Sequence, residues 1–511
     1  MLPAVRRGQR TRGASLYRRG VGPTLPPSEE GRAIAVRGDG YRIGIDAATG
    51  VVRVAAIRDR DGRVLASATS PFEVVADGER REVGFLDVES AVRHALGALL
   101  EAVPDGLGAV SIGIAATAST VAIVDPRAGA PLGGGLMWAD HRATREAAAV
   151  RRAGHPNLER MLGHVSPEWG IAKLAWLAGS GGLDGSSGIV VELADWLGFR
   201  LSGVWSANAG TREWGWAGGD DGAIAASLVE AAGAPASAAE RVIAEVRPTG
   251  TLLGAVQGAA GWPDRIRAVP VLVGGMDSYL AAVGMGAAAP GRLCVTVGSS
   301  SAAIGGIACG DARGRMFGPL LTAVPGLPDG AWQGGQTTAG LAAGWARGIL
   351  GGSDAALEQA AADVPPGSRG VTFRETMLDR RNPEPRSPLR GSWTGLGLAH
   401  GPGDLYRSVL EGIAFGLAEA CGGLQPAEVV VTGGMMRSPL FCTILADVLG
   451  RPITRLREAT SAAAFGAAFA DVPERVAGLI PAAATTEPSG ADYEAARDRY
   501  RRAELPDVDE A

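Results

Sequence analysis

The sequence predicts an α/β protein of two halves, each a mixed sheet flanked by helices, facing each other across a cleft. Three observations lead there. At 511 residues the chain is too long for one hydrophobic core. Short β-branched runs alternate with segments of helical periodicity between Tyr41 and Ala470. A strand–turn–strand unit opens this region at 41–57 and returns more faintly after Leu293, as an internal duplication would leave it.

Residues 1–40 are rich in Arg, Gly and Pro and lack periodicity, so a disordered extension is expected. They contain no apolar h-region of a secretory signal. YRIGID (41–46) reads as a strand, Ala47–Gly50 as a turn, VVRVAAI (51–57) as a second strand and VLASATSPF (64–72) as a third. Leu86 to Val103 has helical periodicity, and AVSIGIAAT (109–117) and STVAIVD (119–125) are further strands. Seven of eleven tryptophans fall between Trp138 and Trp216, in segments read as helical, including 138–142 and 188–203. Later come helices at 337–350, 404–421 and 461–470, and a strand, Gly-Gly turn, helix and strand over 428–456. Past Pro473 the chain turns Ala-, Pro- and Glu-rich and is expected to fray.

The formal net charge of −5 points to neither nucleic acid nor a membrane surface as partner. No apolar run reaches the roughly 18 residues that a membrane-spanning helix needs. Four cysteines (Cys294, Cys309, Cys421, Cys442) lack ligand spacing and read as buried free thiols of a reducing, cytoplasmic compartment. Of 49 basic residues only Lys173 is lysine, and a structural ion pair is its expected role.

Chemistry concentrates between Val271 and Gly306. VLV is a short strand broken by Gly274-Gly275; Met276 to Gly286 is a small-residue helix with Asp277 in its first turn. LCVTV (293–297) then ends in Gly298-Ser299-Ser300-Ser301, a turn whose hydroxyls and bare backbone N–H groups can wrap a phosphate. A carboxylate and a phosphate cradle are what phosphoryl transfer to an alcohol needs.

GSWTGLGLAHGPGDLYRSVLE (391–411), KLAWL (173–177), WADHR (138–142), GGMDSY (274–279) and VTGGMMRSPLFCTILADVLGRPI (431–453) occur in one order along the chain. Together they resemble the FGGY carbohydrate kinases of the actin-like ATPase superfamily, over roughly 41–470. The Gln333–Gln336 run and the wording of 188–216 resemble the ribulokinase-like, pentulose-kinase branch. The resemblance implies two actin-like (ribonuclease H-like) domains: an N-terminal sugar-binding one at 41–288 and a C-terminal nucleotide-binding one at 289–472, with a tail at 473–511. It implies ATP-dependent phosphorylation of a small sugar or polyol, of ketopentose type, with Asp277 as general base. Asp140, His141, Arg142 and Thr117 would bind the sugar. Thr49, Gly50, Arg53, Gly298, Ser299, Ser300, Gly335, Gln336, Gly433 and Gly434 would hold ATP, and Asp46 would stand beside Mg²⁺. The resemblance allows a homodimer. The chain departs from the family at several positions: Gly170 replaces a small hydroxyl or Pro, the Gly298-Ser299-Ser300 turn has Ser for the common Thr, and either Arg381-Asn382-Pro383 or Arg386-Ser387-Pro388 could fill its Arg-x-Pro loop; Ala48 stands where its first phosphate turn has Gly, and Ala115 where ribulokinase-like members often carry Asp. Ala48 and Ala115 motivate an alternative, a degenerate kinase that senses sugar or nucleotide without turnover.

Overall fold

The computed structural model describes residues 40–503 except 259–260, 307, 309–312, 385, 387–388, 423, 458–460 and 481. The expected disordered extension therefore lies almost wholly outside the described residues, as does Cys309.

Two seven-stranded sheets carry the chain. The first orders its strands Leu252–Ala255, Pro270–Leu272, Gly108–Ala116, Gly40–Ala48, Val51–Arg58, Val64–Pro71, with Gly275–Met276 pairing to the far end of Gly108–Ala116. The second runs Phe317–Leu320, Ala331–Gln336, Ser301–Gly306, Arg292–Val297, Glu428–Thr432, Ile453–Leu456, Ala482–Thr486. In each, an opening strand pairs antiparallel with the next strand in sequence and parallel with one that returns after a helix. The duplication read from the sequence is thus a repeat of topology.

Period-two alternation explains the central strand. Tyr41, Ile43, Ile45 and Ala47 share a core with the Phe85–Ala102 helix. The residues between them meet the other side: Arg42 pairs with Asp471 at 2.5 Å and Asp46 accepts a hydrogen bond from Ser461. Between these, a Cβ on Gly44 would overlap the carbonyl of Ala464. Gly113 meets Ala467 in the same way. The Ala462–Ala468 helix therefore lies directly on the first sheet, backbone against backbone. It also packs on the Asp277–Gly284 helix, where Gly284 meets the carbonyl of Ala462, and Gly466 that of Leu280. Small-residue helices are required here because any Cβ would hold the elements apart.

Several expectations need correction. Ile189–Glu192 is a strand paired with Val121–Val124, and the helix begins at Leu193. Its β-branched run completes a small sheet, which helical periodicity had obscured. WADHR is a turn preceding a helix at Thr144–Arg152. Past Pro473 the described residues form regular structure: Ala482–Thr486 extends the second sheet, and Tyr500 is buried with its hydroxyl on Glu375. Cys294, Cys421 and Cys442 are free and buried. No described helix is long and apolar enough to cross a membrane.

Candidate active site

Three parallel strands of the first sheet end together. Asp46 is in register with Ala115, and Ala115 with Gly275. Adjacent strands lie about 4.8 Å apart, so Asp46 and the start of the Asp277–Gly284 helix are separated by about two strand spacings. Carboxyl ends of parallel strands are where open α/β sheets gather ligands. Thr117 follows Ala116 at the same edge; it is buried and its hydroxyl meets that of Thr120 at 2.8 Å.

Asp277 is partly exposed, and its Oδ1 accepts the N–H of Ser278 at 2.7 Å. Burial, and then the negative charge of Asp46, push its carboxyl up to about 7. Asp46 is buried, which raises its carboxyl above the ordinary range against the opposing pull of Ser461 and Arg53. Its Oδ2 accepts from Ser461 Oγ at 2.6 Å and from Arg53 at 3.2 Å. Its Oδ1 is buried without a partner. A buried, unmatched carboxylate oxygen fits an added cation or a water bound to one. No group of three or more ligating side chains forms a metal cage among the described residues. That donor set suits Mg²⁺, which takes one or two carboxylates and keeps its waters.

The first turn, Thr49-Gly50, joins paired Ala48 and Val51. Gly50 takes the left-handed conformation (φ 72°), while Ala48 stays in the strand outside that region. The positive φ of this turn therefore falls on Gly50, two residues after Ala48. The Thr49 hydroxyl accepts from the indole of Trp138 at 3.0 Å.

The equivalent end of the second sheet holds the other turn. Thr296 is in register with Thr432, so Gly298–Ser300 and Gly433-Gly434 are neighbours. Gly433 (φ 107°) lies so close to Val297 that a Cβ would overlap its carbonyl, whereas Gly434 is exposed and open. Carbonyls of Gly298 and Ser299 accept the first N–H groups of the Gly340–Leu350 helix, fixing the turn.

Four of the expected binding residues also have partners within the protein. Asp140 is fully buried, and its carboxylate accepts from the Arg81 N–H at 2.8 Å and from Arg142 at 2.8–3.1 Å. Arg142 also pairs with Glu82 at 2.6 Å and stacks on Trp176. Gln336 is buried in a strand, bonded to Ser301, Glu375 and the carbonyl of Ile413, and Gly335 is pressed against the Ser301 carbonyl. His141 faces Glu168 at 3.7 Å; the Glu168 carboxylate holds the imidazole above its usual value. Burial opposes ionisation of Glu168, but His141 and Arg381 together keep it down at about 2. Arg381 reaches Glu168 at 3.1 Å.

Lys173 forms no ion pair within 4 Å among the described residues. Its fully buried ammonium donates to the carbonyls of Ser119 and Met137 at 2.6 Å and Trp138 at 3.4 Å, and burial lowers its pKa. Sequence reasoning also passed over Ser461, whose one legible signal was its place ahead of a small-residue helix, and Trp138 as a support of Thr49.

Residues 320–472 match the FGGY family of carbohydrate kinases, C-terminal domain. The chain is 28% identical over 370 residues to ribulokinase of Mycolicibacterium smegmatis, covering 65% of this chain and 63% of that protein. It is 30% identical over 217 residues to xylulose kinase of Escherichia coli (strain K12), covering 40% and 43%. The match to autoinducer-2 kinase of the same strain is 26% over 476 residues, covering 82% and 84%. Among solved structures, xylulose kinase from Rhodospirillum rubrum superimposes with a TM-score of 0.75 at 24% identity, covering 90% of this chain and 96% of that one. Plasmodium falciparum glycerol kinase with ADP gives 0.72 at 16%, covering 91% and 96%. These two likenesses speak to the fold, a pair of mixed sheets flanked by helices. The chain thus carries a match to the C-terminal domain of the FGGY carbohydrate kinases over 320–472, and the curated relatives it resembles are sugar kinases of which it spans 63% and 43%.

Proposed function

We propose that the protein phosphorylates a hydroxyl of a small sugar, of ketopentose type, using ATP. The supporting observation is the pair of carboxylates at one sheet edge: Asp277, with its proton affinity raised to about 7, and Asp46, with an oxygen left unmatched. A base works best with a pKa near the working pH, and phosphoryl transfer asks for positioning and charge neutralisation more than for a strong base. Asp277 would accept the proton of the attacking hydroxyl. Asp46, with Arg53 and Ser461 fixing its other oxygen, would hold Mg²⁺ through water; the ion would supply neutralisation of the phosphate chain. Thr49, Gly50 and the Gly298–Ser300 turn would bind phosphates, and Gly433-Gly434 the adenosine. Thr117 and His141 would bound the sugar. The relatives named ribulokinase and xylulose kinase favour a ketopentose. Retention of Asp277 favours turnover over a sensor role. We place the boundary between the sugar and nucleotide domains at 288/289.

The test is ADP release from MgATP with D-ribulose, D-xylulose, L-ribulose, glycerol and gluconate, on the wild type and Asp277→Asn. Turnover with one acceptor, lost in the variant while nucleotide still binds, is expected. Near-normal turnover in the variant overturns the base assignment.

A further inference from the structure

We infer that Asn208 is a positioning residue for Asp277, an inference that rests on the reading of Asp277 as the base. Asn208 is 2% exposed, and all four hydrogen-bonding capacities of its carboxamide are filled. Oδ1 accepts from the N–H of Thr211 at 2.8 Å and its hydroxyl at 3.1 Å, capping the Ala209–Gly215 helix. Nδ2 donates to Thr249 Oγ1 and to the carbonyl of Gly274 at 2.7 Å. Gly274 lies three residues before Asp277.

The intervening Gly275–Met276 strand is gripped from two sides. On one it pairs with Ala115 and Ala116. On the other, a Cβ on Gly275 would lie 3.1 Å from Thr249 Oγ1 and 3.6 Å from Asn208 Nδ2. On Gly274 it would lie 2.8 Å from the Ile114 carbonyl. The strand has no slack, and the helix carrying Asp277 starts directly after it. The bond from Asn208 to Gly274 therefore sets where that helix begins, and with it the aim of the carboxylate. Both donors of Nδ2 serve this clamp, while Oδ1 serves the helix cap, so the two roles separate chemically.

Asn208→Asp and Asn208→Ser exploit that separation. Both residues are good helix caps, but the carboxylate turns an acceptor toward the Gly274 carbonyl, and the serine is too short to reach it. Thr249→Val removes only the Nδ2 bond that does not reach Gly274 and guards against a variant that fails to fold. Each is assayed with MgATP and the fastest acceptor among D-ribulose, D-xylulose and L-ribulose, alone and combined with Asp277→Asn. A misaimed base predicts kcat lower by about 10- to 100-fold with KM for MgATP unchanged, and a smaller loss for Thr249→Val. In the Asp277→Asn background the same substitutions should lower the residual rate less than about twofold, since coupled residues are non-additive. Normal kcat in both Asn208 variants, a rise in KM alone, or an equal loss with and without Asp277 overturns the inference while leaving the base reading intact. Near-normal turnover in Asp277→Asn, or none with any acceptor in the wild type, overturns the base reading and the inference with it.

Discussion

At Asp277, burial and the charge of Asp46 act in the same direction, and two measurable consequences follow. Acting as a base, Asp277 must be ionised, so kcat/KM should rise with pH through about 7; a profile flat from 5 to 8 would contradict this. The native carboxyl also holds its proton where the unfolded one, with an ordinary value near 3.8, has released it. Native protein then binds more protons than unfolded protein, so stability falls as pH rises from about 4 to about 7. Asp277→Asn escapes that loss. Its Tm should exceed that of wild type above pH 7, and the gap should close as pH falls toward 4, as calorimetry across that range can read. Lys173 invites a different substitution. Lys173→Met keeps much of the volume but leaves the carbonyls of Ser119, Met137 and Trp138 without their shared donor. A cost of about 2–4 kcal/mol in urea unfolding is expected. Asp277, Asp46 and the serine turn were legible because helix starts and strand ends reveal themselves through Gly, Ser and Asp. For Asp140 and Gln336 the sequence gives the chemistry of a polar residue but not its partners. Both are matched by neighbours far along the chain, Arg81 and Glu375 among them.

Among the elements, the Ala462–Ala468 helix has the strictest packing. Gly44→Ala would force a methyl into the Ala464 carbonyl, a backbone atom that cannot swing away. The expected loss is about 3 kcal/mol, measured by urea unfolding. Gly97→Ala makes the control: it sits within the Phe85–Ala102 helix with nothing near its Cβ position. It should stabilise by about 0.5–1 kcal/mol. The central strands and long helices were readable from periodicity alone. The Ile189–Glu192 strand and the ordered segment past Pro473 were not, since each is held by a pairing partner distant in sequence.

Across the whole molecule, one hydrophobic core reaches both sheets, from Ala55 and Ala115 to Ile304 and Val430, and polar contacts reinforce it. Glu213, beside the first sheet, accepts the N–H groups of Leu321 and Thr322 at 3.0 and 2.8 Å and the Thr322 hydroxyl at 2.7 Å, and pairs with Arg160. Glu168 and Arg381 make a second fastening, and Asp46 with Ser461 a third. Glu213→Ala should strand those amide groups, lower Tm, and speed proteolysis near residue 321. Unchanged cleavage kinetics would show that the 317–324 segment is held by other means.

The glycine seam beneath the Ala462–Ala468 helix has a mechanical meaning. Where two backbones touch directly, no flexible side chain lies between them to take up a displacement, so each must carry the other along. The Ala462–Ala468 helix meets the strand of Asp46 at Gly44 and the helix of Asp277 at Gly284 in this way, so the two acids ride on one common strut.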